Sequence, residues 1–508
     1  MNNTRLNSKQ RSENCTQISQ EITVNQNKFK TLIETSSWRF IWCVIGCCFS
    51  MLLVGLSLSV SAKTAKPNII LLLADDLGYG DLSSYGSKKI NTPNIDQMAN
   101  EGIKLTQFYA GSAVCTPTRV SILTGRSPLR FNVTRHFKDE VMHLQRNVLT
   151  IPKVLKQAGY VSKHIGKWHL GGLNEKHIQD RNNSIPGPIE HGFDHYLTMI
   201  EDPLYRKPAM LERRLYKDAG MHLIRDEQII KPIKKHWTDI KTDEALSFIE
   251  KQSTQEQPFF LNLWFDTPHS PYEKTPDNSL KQYANKAKGD EQLYRGMVSH
   301  LDHSVGRILS KLKSLNIDKN TLVFFTSDNG PAYRGSAGIY KGRKVDFHEG
   351  GIRVPAVAWW PDNIPAKQVS NELLHTNDLL PSFAKTANIT LANNVVIDGR
   401  DISNVLLNNM PIENRGYVFW QIGDYQHNGN YGTTIDNRPQ PVITEIVRDG
   451  SWKLLAKHGK AIELINLSDD PYERWNLIND YPERVKAMTL ALHNWLNEPR
   501  MKIPYSLN

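Results

Sequence analysis

A chain of 508 residues is too long for one small core, and its 39% hydrophobic and 22% charged content describes a folded protein rather than a disordered one. The net charge of +10 falls to +7 once residues 1–62 are set aside, with no basic helix carrying interleaved aromatics and no finger spacing, which argues against a nucleic-acid binder. The mild excess suits an anionic substrate.

Residues 1–37 are polar and lead into the uncharged run Ile41 to Val60, which ends in Val60-Ser61-Ala62. An apolar run closed by small residues reads as an export signal, giving a periplasmic or secreted protein; its length also fits an uncleaved membrane anchor. Residues 1–62 are therefore assigned to a polar extension plus signal or anchor. Cys15, Cys43, Cys47 and Cys48 all fall there, so Cys115 stands alone in the remaining chain. No intrachain disulfide is expected, and a lone thiol in an exported protein is either buried or chemically used.

Four short apolar runs are continuous rather than alternating, the pattern of parallel strands buried on both faces. Asn68–Ala74 leads into Asp75-Asp76, and 160–165 leads to Lys167-Trp168-His169. The run 259–265 ends in Thr267-Pro268-His269, and 321–326 in Asp328-Asn329-Gly330. Ligands of open α/β sheets bind beyond the carboxyl ends of the strands, so these four endings are predicted to share one crevice. Helical apolar spacing lies between them: Thr92-Pro93 opens one helix, which Gly102 ends, and 242–249 and 297–312 continue the pattern. Alternating strands and helices predict an α/β sandwich over residues 63–404. From 405 to 508, short strands near Trp420, Val447, Leu454 and Leu464, then a helix from Tyr481 to Leu496, predict a smaller α+β subdomain with an antiparallel sheet.

Within Cys115-Thr116-Pro117-Thr118-Arg119, Thr116 is suited to cap a helix and Pro117 to start it, with an end near Gly125. Residue 115 then sits by a helix N-terminus, where backbone N–H groups favour an anion. This stretch, continued by Thr124-Gly125-Arg126, resembles the CxPxR signature of the type I sulfatases, with Thr118 and Ile122 where Ser and Leu are commoner. The resemblance implies that a formylglycine-generating or sulfatase-maturing enzyme oxidises Cys115 to formylglycine. One hydroxyl of its hydrate attacks sulfur to give a sulfated hemiacetal, and the other then loses a proton to expel sulfate, dividing one displacement into two steps.

Further blocks share the likeness. Asp75, Asp76, Asp328 and Asn329 match the family's metal ligands; these hard oxygen donors, with the group at Cys115, suit one Ca²⁺ rather than Zn²⁺. Gly166-Lys167-Trp168-His169-Leu170-Gly171 resembles the second signature, in which Lys167 steadies the diol and His169 holds it or takes its proton. Arg119 lies one helical turn beyond Cys115 and is expected to brace the same group. The resemblance makes His269 the general acid for the leaving alcohol. It also makes Lys344, five residues before Glu349, the sulfate-binding lysine in preference to Lys341, with Glu349 and Arg353 bracing that loop. Coverage runs over residues 66–508 and implies an alkaline-phosphatase-like core.

For the substrate, the insert 173–237 carries Arg206, Lys207, Arg213, Arg214, Lys217, Arg225, Lys231, Lys234 and Lys235, either a wall for a polyanion or a solvated surface. Trp420, Tyr425 and Tyr431 either stack on sugars or pack in the core. A sulfated carbohydrate, polysaccharide or oligosaccharide, is the expected substrate. Alternatives are a small aryl sulfate, a phosphate or phosphonate ester, and non-catalytic binding of a sulfated glycan.

Overall fold

The computed structural model describes residues 66–137, 142–173, 178–180, 185–200, 221–233, 235–275, 278–413, 415–423 and 443–500, with backbone alone at Met221, His222, Lys231 and Pro232. The expected export segment, Arg206 to Lys217, Lys234, Tyr425 and Tyr431 lie outside the described residues. Among those described, no helix is long and apolar enough to cross a membrane.

The strands are β1 (Asn68–Ala74), β2 (Ile103–Tyr109), β3 (Val161–Gly166), β4 (His195–Met199), β5 (Met221–Arg225), β6 (Gln228–Ile233), β7 (Phe259–Trp264), β8 (Thr321–Ser327), β9 (Arg353–Trp359), β10 (Gln368–Ser370) and β11 (Leu374–His375). They form one sheet in the order β10-β2-β9-β8-β1-β7-β3-β4-β5-β6, with β11 beside β2. The run β8-β1-β7-β3-β4 is parallel throughout, while β9, β5 and β6 join antiparallel. The four strands expected to share a crevice are thus immediate neighbours.

Alternation along β1 explains why these strands are apolar on both faces. Ile69, Leu71 and Leu73 enter one core with the helices Cys115–Thr124 and Leu379–Thr386; Ile70 and Leu72 enter another with the helices Pro93–Asn100, Trp237–Ser253 and Gly289–Ser314. At about 25 cal/mol per Å² of apolar surface removed from water, these two cores are the main force holding the layers together. The described part of the 173–237 insert extends this sheet as β4, β5 and β6. Arg225 there is paired with Glu244 at 2.7 Å, and Lys235 with Asp243.

A second, antiparallel sheet runs β12 (Val418–Gln421), β13 (Glu445–Asp449), β14 (Trp452–Lys457) and β15 (Lys460–Asn466). One face, through Val447, Leu454 and Leu464, receives Met488, Leu492 and Trp495 of the closing helix Pro482–Leu496. The other, through Ile446, Leu455 and Ile465, packs on Tyr109, Val114, Phe347 and Ile352. Trp420 belongs to this second core: it is 1% exposed and its indole N–H donates to the Ala110 carbonyl at 2.8 Å, so it is packing and not a sugar platform.

Candidate active site

Because β8, β1, β7 and β3 run parallel side by side, their C-terminal loops leave the sheet together. Backbone hydrogen bonds continue beyond the strands and tie those loops to one another. Asp328 N–H donates to Ala74 (3.1 Å), Asp75 N–H to Thr267 (3.2 Å) and Lys167 N–H to Trp264 (3.0 Å). Gly166 makes this possible on the β3 side: its φ is +104°, and a Cβ there would lie 1.8 Å from the Trp264 carbonyl oxygen. Asp76 and His169 hold left-handed backbone at φ 65° and 59°, sparsely populated conformations of the kind that cluster at functional sites.

The fifth contribution is the helix Cys115–Thr124, which begins two residues earlier than Thr116 as cap would require and ends at Gly125 in the left-handed conformation (φ 64°). Thr116 therefore lies in the first turn, where its hydroxyl donates to the His169 carbonyl at 3.1 Å. Thr118 serves the turn before the helix instead, accepting from Ser112 N–H at 3.0 Å. Cys115 is fully buried at the helix N-terminus, as expected.

Ligand atoms of Asp75, Asp76, Cys115 and Asp328 all lie within 4.8 Å of one another. Around them stand the predicted cations. Lys167 pairs with Asp75 and lies 3.8 Å from Cys115 Sγ, and Lys344 Nζ is 2.7 and 2.8 Å from the two oxygens of Asp76. Arg119 is wholly buried and reaches Asp328 at 2.8 Å, Asp75 at 3.3 Å and the Lys167 carbonyl at 2.9 Å. It thus fixes the acidic groups and the Lys167 backbone around residue 115. His269 Nε2 is 3.5 Å from Asp76, and its Nδ1 faces the Ser270 carbonyl at 2.5 Å. Lys341 points away, donating to the Glu473 carbonyl at 3.3 Å, which agrees with the choice of Lys344.

Electrostatics divide the carboxylates. Burial works to raise the Asp75 pKa, but Lys167, His269, Arg119 and Lys344 outweigh it and hold it well below the usual range. Asp328 is pushed up to about 6, by burial and then by the charge of Asp75. Burial, followed by Asp328 and Asp75, pushes the Cys115 thiol well up, so an unaltered cysteine here is held as the weakly nucleophilic neutral thiol. Asn329 Oδ1 is buried with no hydrogen-bond partner, although its Nδ2 donates to Asp76 at 2.7 Å. An orphaned amide oxygen beside three carboxylates is an all-oxygen donor set that fits a hard divalent cation of the Ca²⁺ type.

The loop carrying Lys344 is braced as expected by Glu349 and Arg353, 3.3 Å apart. The other half of the brace comes from distant parts of the chain. Lys453 of β14 is fully buried and sits 2.9 Å from Glu349 and 2.8 Å from Glu473, Arg448 is 3.6 Å from Glu349, and Tyr109 donates to Glu349 at 2.6 Å. Against the pull of burial, Lys453, Arg448 and Arg353 hold the Glu349 pKa well below its ordinary value, while burial raises that of Glu473. No local pattern signals this cluster, because Lys453 lies 104 residues from Glu349 and Tyr109 lies 240 residues from it.

The His269 loop is held from behind. Lys241 pairs with Asp266, and the Thr238 and Thr267 hydroxyls are 2.7 Å apart. His236 and His300 form a buried group with Asp239, and Glu273 lies 3.4 Å from His236 Nε2. His236 Nδ1 accepts the Thr238 N–H, which leaves its proton on Nε2, so this group is a hydrogen-bonded support and not a metal centre.

The chain matches the sulfatase family profile over residues 67–389 and the profile of the N-sulphoglucosamine sulphohydrolase C-terminal region over 335–502. It is 36% identical over 491 residues to N-acetylgalactosamine-6-sulfatase of Sus scrofa, covering 87% of this chain and 88% of that protein. Arylsulfatase G of Mus musculus is 33% identical over 404 residues, 72% of this chain and 73% of the relative. Among solved structures, Ps i-CgsB in complex with k-i-k-neocarrahexaose superposes with a TM-score of 0.73 at 26% identity, covering 87% of this chain and 95% of that one. With parallel strand ends, acidic cluster and flanking cations in one crevice, the chain belongs to the sulfatase family of sulfuric ester hydrolases within the alkaline-phosphatase superfamily.

Proposed function

We propose that this enzyme removes sulfate from a sulfated carbohydrate, an oligosaccharide or polysaccharide, using formylglycine made from Cys115 and one Ca²⁺ held by Asp75, Asp76, Asp328 and Asn329. The observation that carries the reading is the convergence of Asp75, Asp76, Cys115 and Asp328 within 4.8 Å, drawn from three separate stretches of chain. The sugar specificity is supported by relatives whose names specify N-acetylgalactosamine-6-sulfatase activity and by a structural neighbour solved in complex with k-i-k-neocarrahexaose. Export, through the segment Ile41 to Val60, and encounter with a maturation enzyme belong to the same proposal.

The aldehyde hydrate at position 115 supplies two hydroxyls on one carbon, one to attack sulfur and one to give up a proton. Bound Ca²⁺ supplies positive charge for the sulfate oxygens and the attacking group. The protein's own groups do the rest. Lys167, paired with Asp75 and 3.8 Å from Cys115 Sγ, stabilises negative charge on the residue 115 side chain. His169, on the adjoining loop, accepts the second proton. Lys344 neutralises the sulfate as it transfers.

His269 protonates the leaving alcohol. A ring nitrogen facing a carbonyl must donate, so Nδ1 carries a proton toward Ser270 and Nε2 is turned to Asp76 and the crevice. Donation from Nε2 requires the imidazolium. Burial and then Lys344 oppose that form, Asp76 favours it, and an anionic sulfate ester adds to the side of Asp76.

The test is release of inorganic sulfate by the mature, Ca²⁺-loaded enzyme from a panel of sulfated oligosaccharides beside 4-nitrophenyl sulfate. Desulfation of at least one sugar at a kcat/KM above that for the aryl ester is the expected result. Turnover of the aryl ester with none of the sugars overturns the carbohydrate assignment.

A further inference from the structure

One titratable group in the crevice has no part in the chemistry above. His136 lies in the segment that follows the Cys115 helix, and its ring centroid is 5.3 Å from that of His169 with the planes tilted by 34°. It is partly exposed, and its ring nitrogens make no hydrogen bond or ion pair with any other described residue. The segment is fixed from outside: Gly423 N–H, just past β12, donates to the Thr134 carbonyl at 3.3 Å, and Arg135 donates to the Gly423 carbonyl. His136 is thus held by its neighbours while its own polar atoms are left for another molecule.

We infer that His136 is a specificity-determining residue, its ring nitrogen hydrogen-bonding an uncharged hydroxyl or amide of the sugar next to the sulfate ester. This rests on the carbohydrate reading of the site. The choice of an uncharged group over a second sulfate follows from the surroundings. Partial burial of the ring, and then the charges of Lys344, Lys167, His269 and Arg135, hold the His136 pKa well below the ordinary imidazole value and favour the neutral ring. A neutral imidazole offers one donor and one acceptor, which matches a hydroxyl, and lacks the charge an additional sulfate would require. Contact with His169 places it beside the reacting centre, where the first sugar ring must lie. A site built to hydrogen-bond a substrate group discriminates strongly against substrates that lack it.

The experiment compares the parent enzyme with His136→Ala and His136→Phe, the latter keeping an aromatic ring against His169 without its nitrogens. The readout is the ratio of kcat/KM for the best sulfated sugar to kcat/KM for 4-nitrophenyl sulfate, which cancels losses of folded or matured enzyme. Both variants are expected to lower that ratio about tenfold or more, chiefly through KM. Equal losses on the two substrates in both variants overturn the proposal and make His136 a prop for His169. A parental ratio in His136→Phe overturns it too, because the nitrogen then recognises nothing. Failure of the parent to desulfate any sugar while cleaving the aryl ester overturns the carbohydrate reading and this proposal with it, and is told apart by occurring before any substitution.

Discussion

Lys344 and Asp76 are 268 residues apart in the chain, yet the ammonium lies 2.7 and 2.8 Å from the two carboxylate oxygens, both groups nearly buried. The pairing exists because Asp76 lies two residues past the end of β1 while the loop carrying Lys344 folds back over the neighbouring end of β8. Gly330 permits that approach: a Cβ there would lie 1.9 Å from the Gly350 carbonyl oxygen.

Removing this ammonium should therefore strike the transfer step. Lys344→Ala is expected to lower kcat/KM for 4-nitrophenyl sulfate by roughly 10²–10³, the loss typical for one preorganised charge-stabilising donor. Steady-state kinetics on fully matured protein measures it, and a loss below threefold would mean the sulfate is gripped elsewhere.

Calcium binding has a signature independent of turnover. A ligand that binds only the folded state stabilises it by about 2.7 kcal/mol at a hundredfold excess over Kd. Chelator-treated enzyme should melt at a lower temperature and recover on adding Ca²⁺, and Asn329→Ala should lose much of that recovery. An unaltered midpoint across the Ca²⁺ titration contradicts the ligand assignment.

The buried cluster around Glu349 predicts a pH dependence. Its folded pKa is depressed, so its contribution is present above the ordinary glutamate pKa near ~4.3 and is lost as pH falls through the folded value. Glu349→Gln strands buried Lys453 beside Glu473 alone and should cost about 3–5 kcal/mol at pH 7, as expected when one partner of a buried ionic group is removed. Urea unfolding at pH 7 and at pH 4 should show the gap between parent and variant narrowing on acidification. A gap that widens at pH 4 reverses the sign and refutes the assignment.

Behind His269, Lys241 is completely buried and its ion pair with Asp266 anchors the loop. Lys241→Met should lower kcat about tenfold through a misplaced acid, with KM changing less. Rescue by Lys241→Arg, which restores a cation, separates this from a general packing defect.

The sequence carries the fold and the reacting groups where chemistry and local pattern coincide. Apolar runs such as Ile69 to Ala74 announce buried parallel strands, and the polar residues following each one mark the crevice. It is silent where a residue acts through distant partners. Lys453 looks like an ordinary surface lysine on a short strand until Glu349 and Glu473 fold onto it. His136 belongs to no block of the signature, and only the packing of its segment against His169 and Gly423 brings it to the site. Thr116 misleads for a related reason: it has the local chemistry of a cap, but a tertiary contact with His169 claims it, and contact with Ala110 decides between the two readings of Trp420.

The chemistry turns on one side chain, whose state is read by mass spectrometry of the peptide Leu105 to Arg119 from active enzyme. Conversion of Cys115 to formylglycine predicts a mass about 18 Da below that of the unmodified peptide, in a fraction that tracks specific activity between preparations. Fully active enzyme whose peptide keeps the cysteine mass would contradict it.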